Sequence, residues 1–162
     1  MTEAPTAAQN PVPKKVYKIV SGCQTGADRA GLEVGRRLEH LDTGGWCTKG
    51  NRTDEGPRPD LIDYYGLDEH SSSAYPPRTE KNVRDSNGTV LCGNMTSPGC
   101  SLTIALCKAY KRPYICNPTA DELRAWLVEH AIEILNVAGN RERTNPGIYQ
   151  STLETLLEAL QP

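Results

Sequence analysis

Residues 16–35 read VYKIVSGCQTGADRAGLEVG, and this stretch decides the fold class. Its apolar, β-branched beginning predicts a buried strand over Val16–Ser21. Two glycines and a threonine follow, and alanine, valine and leucine side chains then recur at spacings of three and four, which is typical of one face of a helix. A strand that passes through a glycine turn into a helix is the repeating unit of α/β proteins.

The rest of the chain continues this alternation. Three further stretches have the composition of strands: Gly88–Cys92, Pro113–Cys116 and Ile132–Val137. Helices are predicted at Pro77–Asp85, at Ser101–Tyr110, and after two capping boxes, Thr119 with Glu122 and Ser151 with Glu154. Residues 42–76 look irregular, with one short strand near Tyr64–Leu67. The sequence therefore predicts an α/β fold, a Rossmann-like three-layer sandwich with a mainly parallel sheet and helices on both faces.

Composition limits the domain organisation and the partners. The 162 residues are 37% hydrophobic and 23% charged, as expected for one globular domain. We predict a disordered tail over residues 1–14, which have no apolar period, and a single Rossmann-like ligand-binding domain over residues 15–162. A net charge of −2 gives no reason to expect a nucleic-acid polymer, and no apolar stretch is long enough to span a membrane. The N-terminal residues lack a signal-peptide pattern, so we expect a cytoplasmic protein with free thiols.

The loops that follow strands are the candidate binding sites, because parallel α/β sheets bind ligands beyond the carboxyl ends of their strands. The first loop and its helix start contain six candidate residues: Gly22, Cys23, Gln24, Thr25, Gly26 and Asp28. Glycines let the backbone approach a ligand closely, and free N–H groups at a helix start suit a phosphate. The alternative is a tight turn in which the threonine only caps the helix.

A second loop of this kind follows the strand Gly88–Cys92, with candidate residues Gly99, Cys100, Ser101 and Thr103. We expect the two strands to be neighbours, so that their loops face each other across one crevice. A third candidate loop follows the last predicted strand. There Arg141 could reach a phosphate, although an ordinary charged surface turn explains this loop equally well.

Other candidates lie outside these loops. Cationic or polar partners for an anion are Lys49, Arg52, Arg78 and Asn82, the last two on one helix face. Four aromatic residues could stack on a flat ring, although packing is their commoner role: Trp46, Tyr64, Tyr65 and Tyr75. If three cysteines converged on the crevice they could ligate an iron–sulfur cluster: Cys23, Cys47 and Cys100. Their long spacing is not a recognised ligand pattern, and buried free thiols are the competing explanation.

Four motifs in order carry a resemblance to a known family: SGCQTGADRAGLEVG (21–35), GGWCTKGNRTDEGP (44–57), YPPRTEKNVRDSNGTVL (75–91) and LNVAGNRERTNPGIY (135–149). They resemble the molybdenum cofactor carriers, a family in the Rossmann-like group that includes the lysine-decarboxylase-like LOG enzymes. The resemblance implies a homo-oligomer, a tetramer or dimer, that binds molybdenum cofactor (molybdopterin type) or a nucleotide-like ligand. It also implies that the two glycine loops hold the ligand's phosphate and that Arg78 lies above them.

The chain departs from these relatives at several positions. LOG enzymes need an arginine, to which Arg78 corresponds, and a glutamate in a PGGxGTxxE motif, where this chain has Leu106. Leucine cannot stabilise a ribosyl cation, so we expect no hydrolase activity by that mechanism. Within the carrier family, Cys23 and Cys100 each stand where glycine is usual, and Thr48 replaces a proline.

Three functions are therefore considered. We expect a binding or carrier protein for a small, anionic, phosphate-bearing ligand, either molybdenum cofactor or a nucleotide. The first alternative is a nucleotide-processing enzyme with Asp28, Asp54 or Glu55 as its acid, although acids favour first helical turns on dipole grounds alone. The second alternative is an iron–sulfur enzyme that uses the three cysteines named above.

Overall fold

The computed structural model describes residues 15–162, and the tail predicted over residues 1–14 lies outside them. Along the chain the elements are β1 (Lys18–Val20), α1 (Ala27–Arg37), β2 (Asp42–Gly44), β3 (Trp46–Cys47), β4 (Arg52–Thr53), β5 (Gly56–Pro57), α2 (Asp60–Tyr65), β6 (Asp68–Glu69), α3 (Tyr75–Arg84), β7 (Gly88–Cys92), α4 (Pro98–Ala109), β8 (Tyr114–Cys116), α5 (Ala120–Glu129), β9 (Ile134–Gly139) and α6 (Ile148–Leu160).

The central sheet has five parallel strands in the spatial order β2-β1-β9-β7-β8. Helix α6 packs against α1 and α5, and α3 packs against α4, so that helices and sheet form three layers. The predicted Rossmann-like α/β sandwich is confirmed. Among residues 15–162, no helix is both long enough and apolar enough to cross a membrane.

The main core lies where β9 packs against α1 and α6. Leu135 and Val137 of β9 are fully buried, as are Val34 of α1 and Leu156 of α6. Gly31 brings α1 close to the sheet, because a Cβ at that position would lie 2.6 Å from the Cβ of Val137. The small residues of α1 therefore set the distance between the helix and the central strand.

The order of the strands corrects one expectation. The strands that precede the two glycine loops, β1 and β7, are not neighbours, because β9 lies between them and pairs with both. Hydrophobic patterns identify a strand but do not specify its partner, and β9 comes last along the chain. The loop that follows β9, which includes Arg141, is therefore the central one of the three.

The region 42–76 is more regular than expected. β2 joins the edge of the main sheet, β4 and β5 form an antiparallel hairpin, and β3 pairs with β6. The strand predicted near Tyr64–Leu67 is wrong, since α2 occupies Asp60–Tyr65 and ends at Gly66 in the left-handed conformation. Leu61 and Tyr65, one helical turn apart, are buried together in a second hydrophobic cluster beside α1.

Only one of the two predicted capping boxes is present. Thr119 and Glu122 form theirs at the start of α5, as predicted. The box of Ser151 and Glu154 is wrong, because α6 begins earlier, at Ile148. The carboxylate of Glu142 accepts hydrogen bonds from the amides of Gly147 and Tyr149, at 2.7 and 3.0 Å, and so satisfies the first turn of α6 from the preceding loop.

Replacement of Gly31 by alanine will lower the free energy of unfolding by about 1–3 kcal/mol, because the new methyl group overpacks the contact with Val137. Helix propensity alone would change it by about 1 kcal/mol in the opposite direction. Urea titration decides between the two signs. The control is Gly99→Ala in α4, where a Cβ would meet no atom within 4 Å. A Gly31 variant as stable as the natural protein would show that α1 is free to move away from the sheet.

Candidate functional site

A crevice of about 300 Å³ opens at the carboxyl ends of the central strands, between the starts of α3 and α4. It is lined by nine of the candidate residues: Gly22, Gln24, Asp28, Tyr75, Arg78, Asn82, Gly99, Thr103 and Arg141. The other candidate loop, cationic, aromatic and cysteine residues do not line it: Cys23, Thr25, Gly26, Trp46, Cys47, Lys49, Arg52, Tyr64, Tyr65, Cys100 and Ser101. The structure therefore brings together residues from all three loops and from α3.

Four amides of the first glycine loop and its helix start are already used within the protein. At distances of 2.9–3.3 Å, Cys23 N–H donates to Ser21 Oγ, Gln24 N–H to Asp28 Oδ2, Thr25 N–H to Gln24 Oε1 and Ala27 N–H to the Asn140 carbonyl. Gly26 has φ +83°, and a Cβ there would lie 2.3 Å from the Asn140 oxygen. The loop is therefore built to contact the backbone after β9, and a phosphate would have to displace these bonds.

The start of α4 is more open. Gly99 lines the crevice, and no atom lies within 4 Å of the place a Cβ would occupy. Thr103 is buried one turn later, and its hydroxyl donates to the Gly99 carbonyl at 2.9 Å. Ser101 is exposed and bonds to the Met95 carbonyl at 3.2 Å, away from the crevice. Since the N-terminus of a helix attracts negative charge, Gly99 offers a surface on which an anion can approach the backbone.

Two of the residues that line the crevice each carry a buried hydrogen-bond donor that lacks a partner among the described residues. The amide oxygen of Gln24 accepts the N–H groups of Thr25 and Asp54, both at 2.9 Å, and its Nε2 is left unpaired. The Nε of Arg78 is likewise buried and unpaired. The Arg78 guanidinium lies against Gly22, where a Cβ would be 2.6 Å from Cζ. Buried donors without partners are costly, so this pair favours a ligand with acceptor oxygens.

One face of α3 supplies an aromatic ring and two polar side chains, at positions 75, 78 and 82. The ring of Tyr75 lies among three guanidinium groups, with the Cζ atoms of Arg52, Arg78 and Arg141 at 5.1, 5.1 and 5.2 Å from its centroid. Cations at this distance are attracted to an aromatic face. Asn82 has a structural task, because its amide exchanges hydrogen bonds with the backbone of Trp46 at 2.8 and 3.0 Å.

Asp28 is the one acid among the described residues that line the crevice. Burial raises the pKa of its carboxyl, and the Arg78 guanidinium at 3.9 Å and the Gln24 amide oppose that rise. The sequence also suggested Asp54 or Glu55 as the acid of a nucleotide-processing enzyme, but neither residue lines the crevice. Asn136, in the middle of β9, lines the crevice but was not predicted from the sequence. The signal that could have identified it is a buried amide side chain within a strand.

The cysteines do not form a metal site. Cys23 and Cys47 lie in the second hydrophobic cluster, whereas Cys100 is buried beside the Asn140 amide, with Nδ2 and Sγ 3.7 Å apart. Within residues 15–162, no three His, Cys, Asp or Glu side chains are grouped so that they could hold a metal ion, so the structure does not bring together the three cysteines of the iron–sulfur alternative. Burial raises the pKa of the Cys23 and Cys100 thiols and that of Cys47 to about 11, so all three stay protonated near neutral pH.

The sheet has the strand order of a Rossmann domain whose chain starts at a different place. If β9 is counted first, followed by β1, β2, β7 and β8, the spatial order becomes 3-2-1-4-5. That is the order of the classic dinucleotide-binding sheet, in which ligands bind where the order reverses. Here the reversal falls between β9 and β7, and the crevice lies at their carboxyl ends.

The raised pKa of Asp28 predicts a pH dependence of stability. A native state that holds the proton more tightly than the unfolded chain loses stability as the pH rises above the ordinary value of 3.8. Asp28→Asn lacks this titration, so the natural protein should lose stability relative to the variant between about pH 4 and neutrality. Urea unfolding at a series of pH values measures the difference. If the natural protein instead gained stability relative to the variant over this range, the attraction of Arg78 for the Asp28 carboxylate would outweigh the cost of burying it.

Comparison with known proteins agrees with the fold and the sequence motifs. A crystal structure from Syntrophus aciditrophicus SB, described as a "Putative molybdenum carrier protein", is 36% identical and superposes with a TM-score of 0.82, over 91% of this chain and 97% of that one. The predicted resemblance to molybdenum carriers is confirmed at this level. No curated protein matches. The model of the circularly permutated YpsA SLOG family matches residues 19–160, and the chain belongs to that family.

Proposed function

We propose that the protein binds a small phosphate-bearing ligand in the crevice and serves as its carrier. The observation that carries the proposal is the pair of buried, unpaired donors, Gln24 Nε2 and Arg78 Nε, which belong to two residues that line one cavity. A phosphate group offers several strong acceptor oxygens, and charge-assisted hydrogen bonds to arginine are among the strongest that proteins make. A ligand of this kind would satisfy both donors together.

The charges around the crevice support the same ligand. Arg78 and Arg141 line it, and the Cζ of Arg52 lies 5.1 Å from the centroid of the Tyr75 ring. The opposing acid is Asp28, whose burial favours its neutral form. The open backbone at Gly99 adds the positive end of α4. We infer that the phosphate lies between Gly99 and Arg78.

We infer molybdenum cofactor of the molybdopterin type as the first candidate ligand and a nucleotide as the second. The related protein is described as a molybdenum carrier, which supports the first candidate. None of the described residues that line the crevice is a cysteine or a histidine, so this protein would recognise the phosphate and the flat ring of the cofactor rather than ligate its metal. The volume of about 300 Å³ lies at the lower end of the range for small-molecule sites.

A nucleotide-processing enzyme is the second candidate, favoured by one observation. Asp28 is a buried acid with a raised pKa inside the crevice, and such groups are common at catalytic sites. Leu106, at the position of the LOG glutamate, is half-buried and does not line the crevice. Incubation with nucleoside monophosphates, followed by chromatography for a released base, tests this candidate. Release of a base would show that the protein is an enzyme rather than a carrier.

The homo-oligomer remains a prediction. α4 leaves Ala105 and Ala109 exposed and Leu106 half-buried, and the edge strand β8 is half-buried throughout. These partly apolar surfaces would suit a subunit contact. Light scattering of the purified protein measures its mass in solution, and a monomer at all concentrations would contradict the prediction.

Two measurements test the carrier proposal. Mass spectrometry and metal analysis of gently purified protein should detect a phosphorylated ligand, together with molybdenum if the cofactor is intact. Calorimetry should show binding of adenosine 5′-monophosphate, with adenosine at least about tenfold weaker because it lacks the charged acceptors. Equal affinity for the two probes would contradict phosphate recognition.

Arg78→Gln should weaken binding of the monophosphate by about 10- to 100-fold, the usual loss for a hydrogen bond to a charged group. The matched control is Arg36→Gln on α1, because Arg36 contacts Tyr64 and lines a different cleft. Calorimetry measures both variants. If the two variants lost affinity equally, the protein's overall charge rather than the crevice would attract the ligand.

Gly99→Ala separates binding from folding. Outside the local helix backbone and its chain neighbours, no atom lies within 4 Å of the new methyl group, so the melting temperature should stay unchanged or rise slightly. Affinity for the monophosphate should fall by about tenfold or more, because the methyl group keeps the phosphate away from the start of α4. Unchanged affinity would place the phosphate elsewhere in the crevice.

A further inference from the structure

The tip of the β4–β5 hairpin lies outside the crevice and carries two adjacent acids, Asp54 and Glu55. Their side chains reach different parts of the protein. Glu55 pairs with Arg29 at 3.0 Å and with Arg58 at 2.9 Å, and neither arginine lines the crevice. Asp54 reaches the loop that follows β9 instead. Because the two acids are adjacent in the chain but pair with different arginines, a variant of one can serve as the control for a variant of the other.

Asp54 holds an arginine that does line the crevice. Its Oδ1 lies 3.2 Å from Nη1 of Arg141 and 3.6 Å from Nη2 of Arg143. The carboxylate is largely buried, with 12% of its side chain exposed, compared with 37% for Arg141. The Arg141 guanidinium therefore contacts both a largely buried carboxylate and the ring of Tyr75, with its Cζ 5.2 Å from the ring centroid.

The backbone of the same residue orients a second crevice group. The amide of Asp54 donates to Oε1 of Gln24 at 2.9 Å, and the Thr25 amide donates to the same oxygen at 2.9 Å. With its oxygen fixed by two donors, the Gln24 amide has one orientation, in which Nε2 remains the unpaired group. Asp54 thus contacts crevice residues from two loops that are far apart in the sequence.

We propose that Asp54 is a positioning residue for ligand binding, which aims the Arg141 guanidinium with its side chain while its amide fixes the Gln24 side chain. The proposal rests on the proposed function of the crevice. The proposal predicts the opposite of simple electrostatics. A carboxylate near an anion site repels the anion, so if only charge mattered, removal of the Asp54 carboxylate would tighten binding. The two explanations therefore predict opposite signs for the same variant.

The test is Asp54→Asn, which keeps the backbone donor to Gln24 and removes the charge that holds Arg141. Its affinity for adenosine 5′-monophosphate should fall by about tenfold, and the fall should vanish in an Arg141→Gln background, as expected for coupled residues. Glu55→Gln is the matched control, with the same change in charge on the same hairpin, and it should bind as well as the natural protein or slightly better. Tighter binding by Asp54→Asn would overturn the proposal. So would an equal loss of affinity when Asp54→Asn is made in the Arg141→Gln background.

A second measurement needs no ligand and keeps the two proposals separate. Nitrogen-15 relaxation of the Arg141 Nε–H group by NMR reports how rigidly the guanidinium is held. Its order should decrease in Asp54→Asn and stay unchanged in Glu55→Gln. An unchanged signal in Asp54→Asn overturns the positioning role even if the probe binds. A decrease with no probe bound by the natural protein would instead uphold the role of Asp54 and reject the proposed ligand.

Discussion

The contact between Gly26 and the backbone after β9 is the constraint on which the crevice depends. The Ala27 amide donates to the Asn140 carbonyl at 3.1 Å, and the lack of a side chain at Gly26 lets the two loops touch. This contact joins the end of β1 to the end of β9, while β9 pairs along its length with β7. The open end of the crevice is therefore formed by loops that support one another rather than by free turns.

This arrangement changes how the glycine-rich loop is understood. Its composition is that of a phosphate-binding turn, yet the amides of Cys23, Gln24 and Thr25 donate to protein acceptors. What it contributes to the crevice is the flat surface of Gly22, the side chain of Gln24 and the carboxyl of Asp28. The open backbone is at Gly99, on α4. The loop thus acts as a scaffold for side chains, and the open backbone lies on the other side of the switch point.

The sequence was sufficient to predict a structural element wherever the interactions that determine the element are local. The strand Gly88–Cys92 and the capping box of Thr119 are present as predicted, because apolar runs and side-chain caps act over a few residues. The insertion of β9 between β1 and β7 could not be predicted, since it depends on pairing between strands far apart in the chain. The false capping box at Ser151 failed for the same reason, because Glu142 in the preceding loop had already satisfied the helix start.

The same distinction applies to the site. Arg78, Gln24 and Gly99 could be identified by residue type and position after a strand or on a helix face. The burial of Cys23 could not, because it depends on the cluster formed by the 42–76 region. Cys23 has φ +62°, a conformation that favours glycine, so its packing in that cluster must offset the backbone strain. The cysteine is therefore a packing residue in a glycine position.

The central place of β9 also bears on how the protein is made. Chains are synthesised from the N-terminus, and β1, β2, β7 and β8 all leave the ribosome before the strand that joins them. Until β9 is available, β1 and β7 each lack a partner along one edge, and unpaired strand edges are prone to aggregation. The sheet can close only after β9 has left the ribosome, so the step that completes the crevice is also the one that ends the exposure of these strand edges.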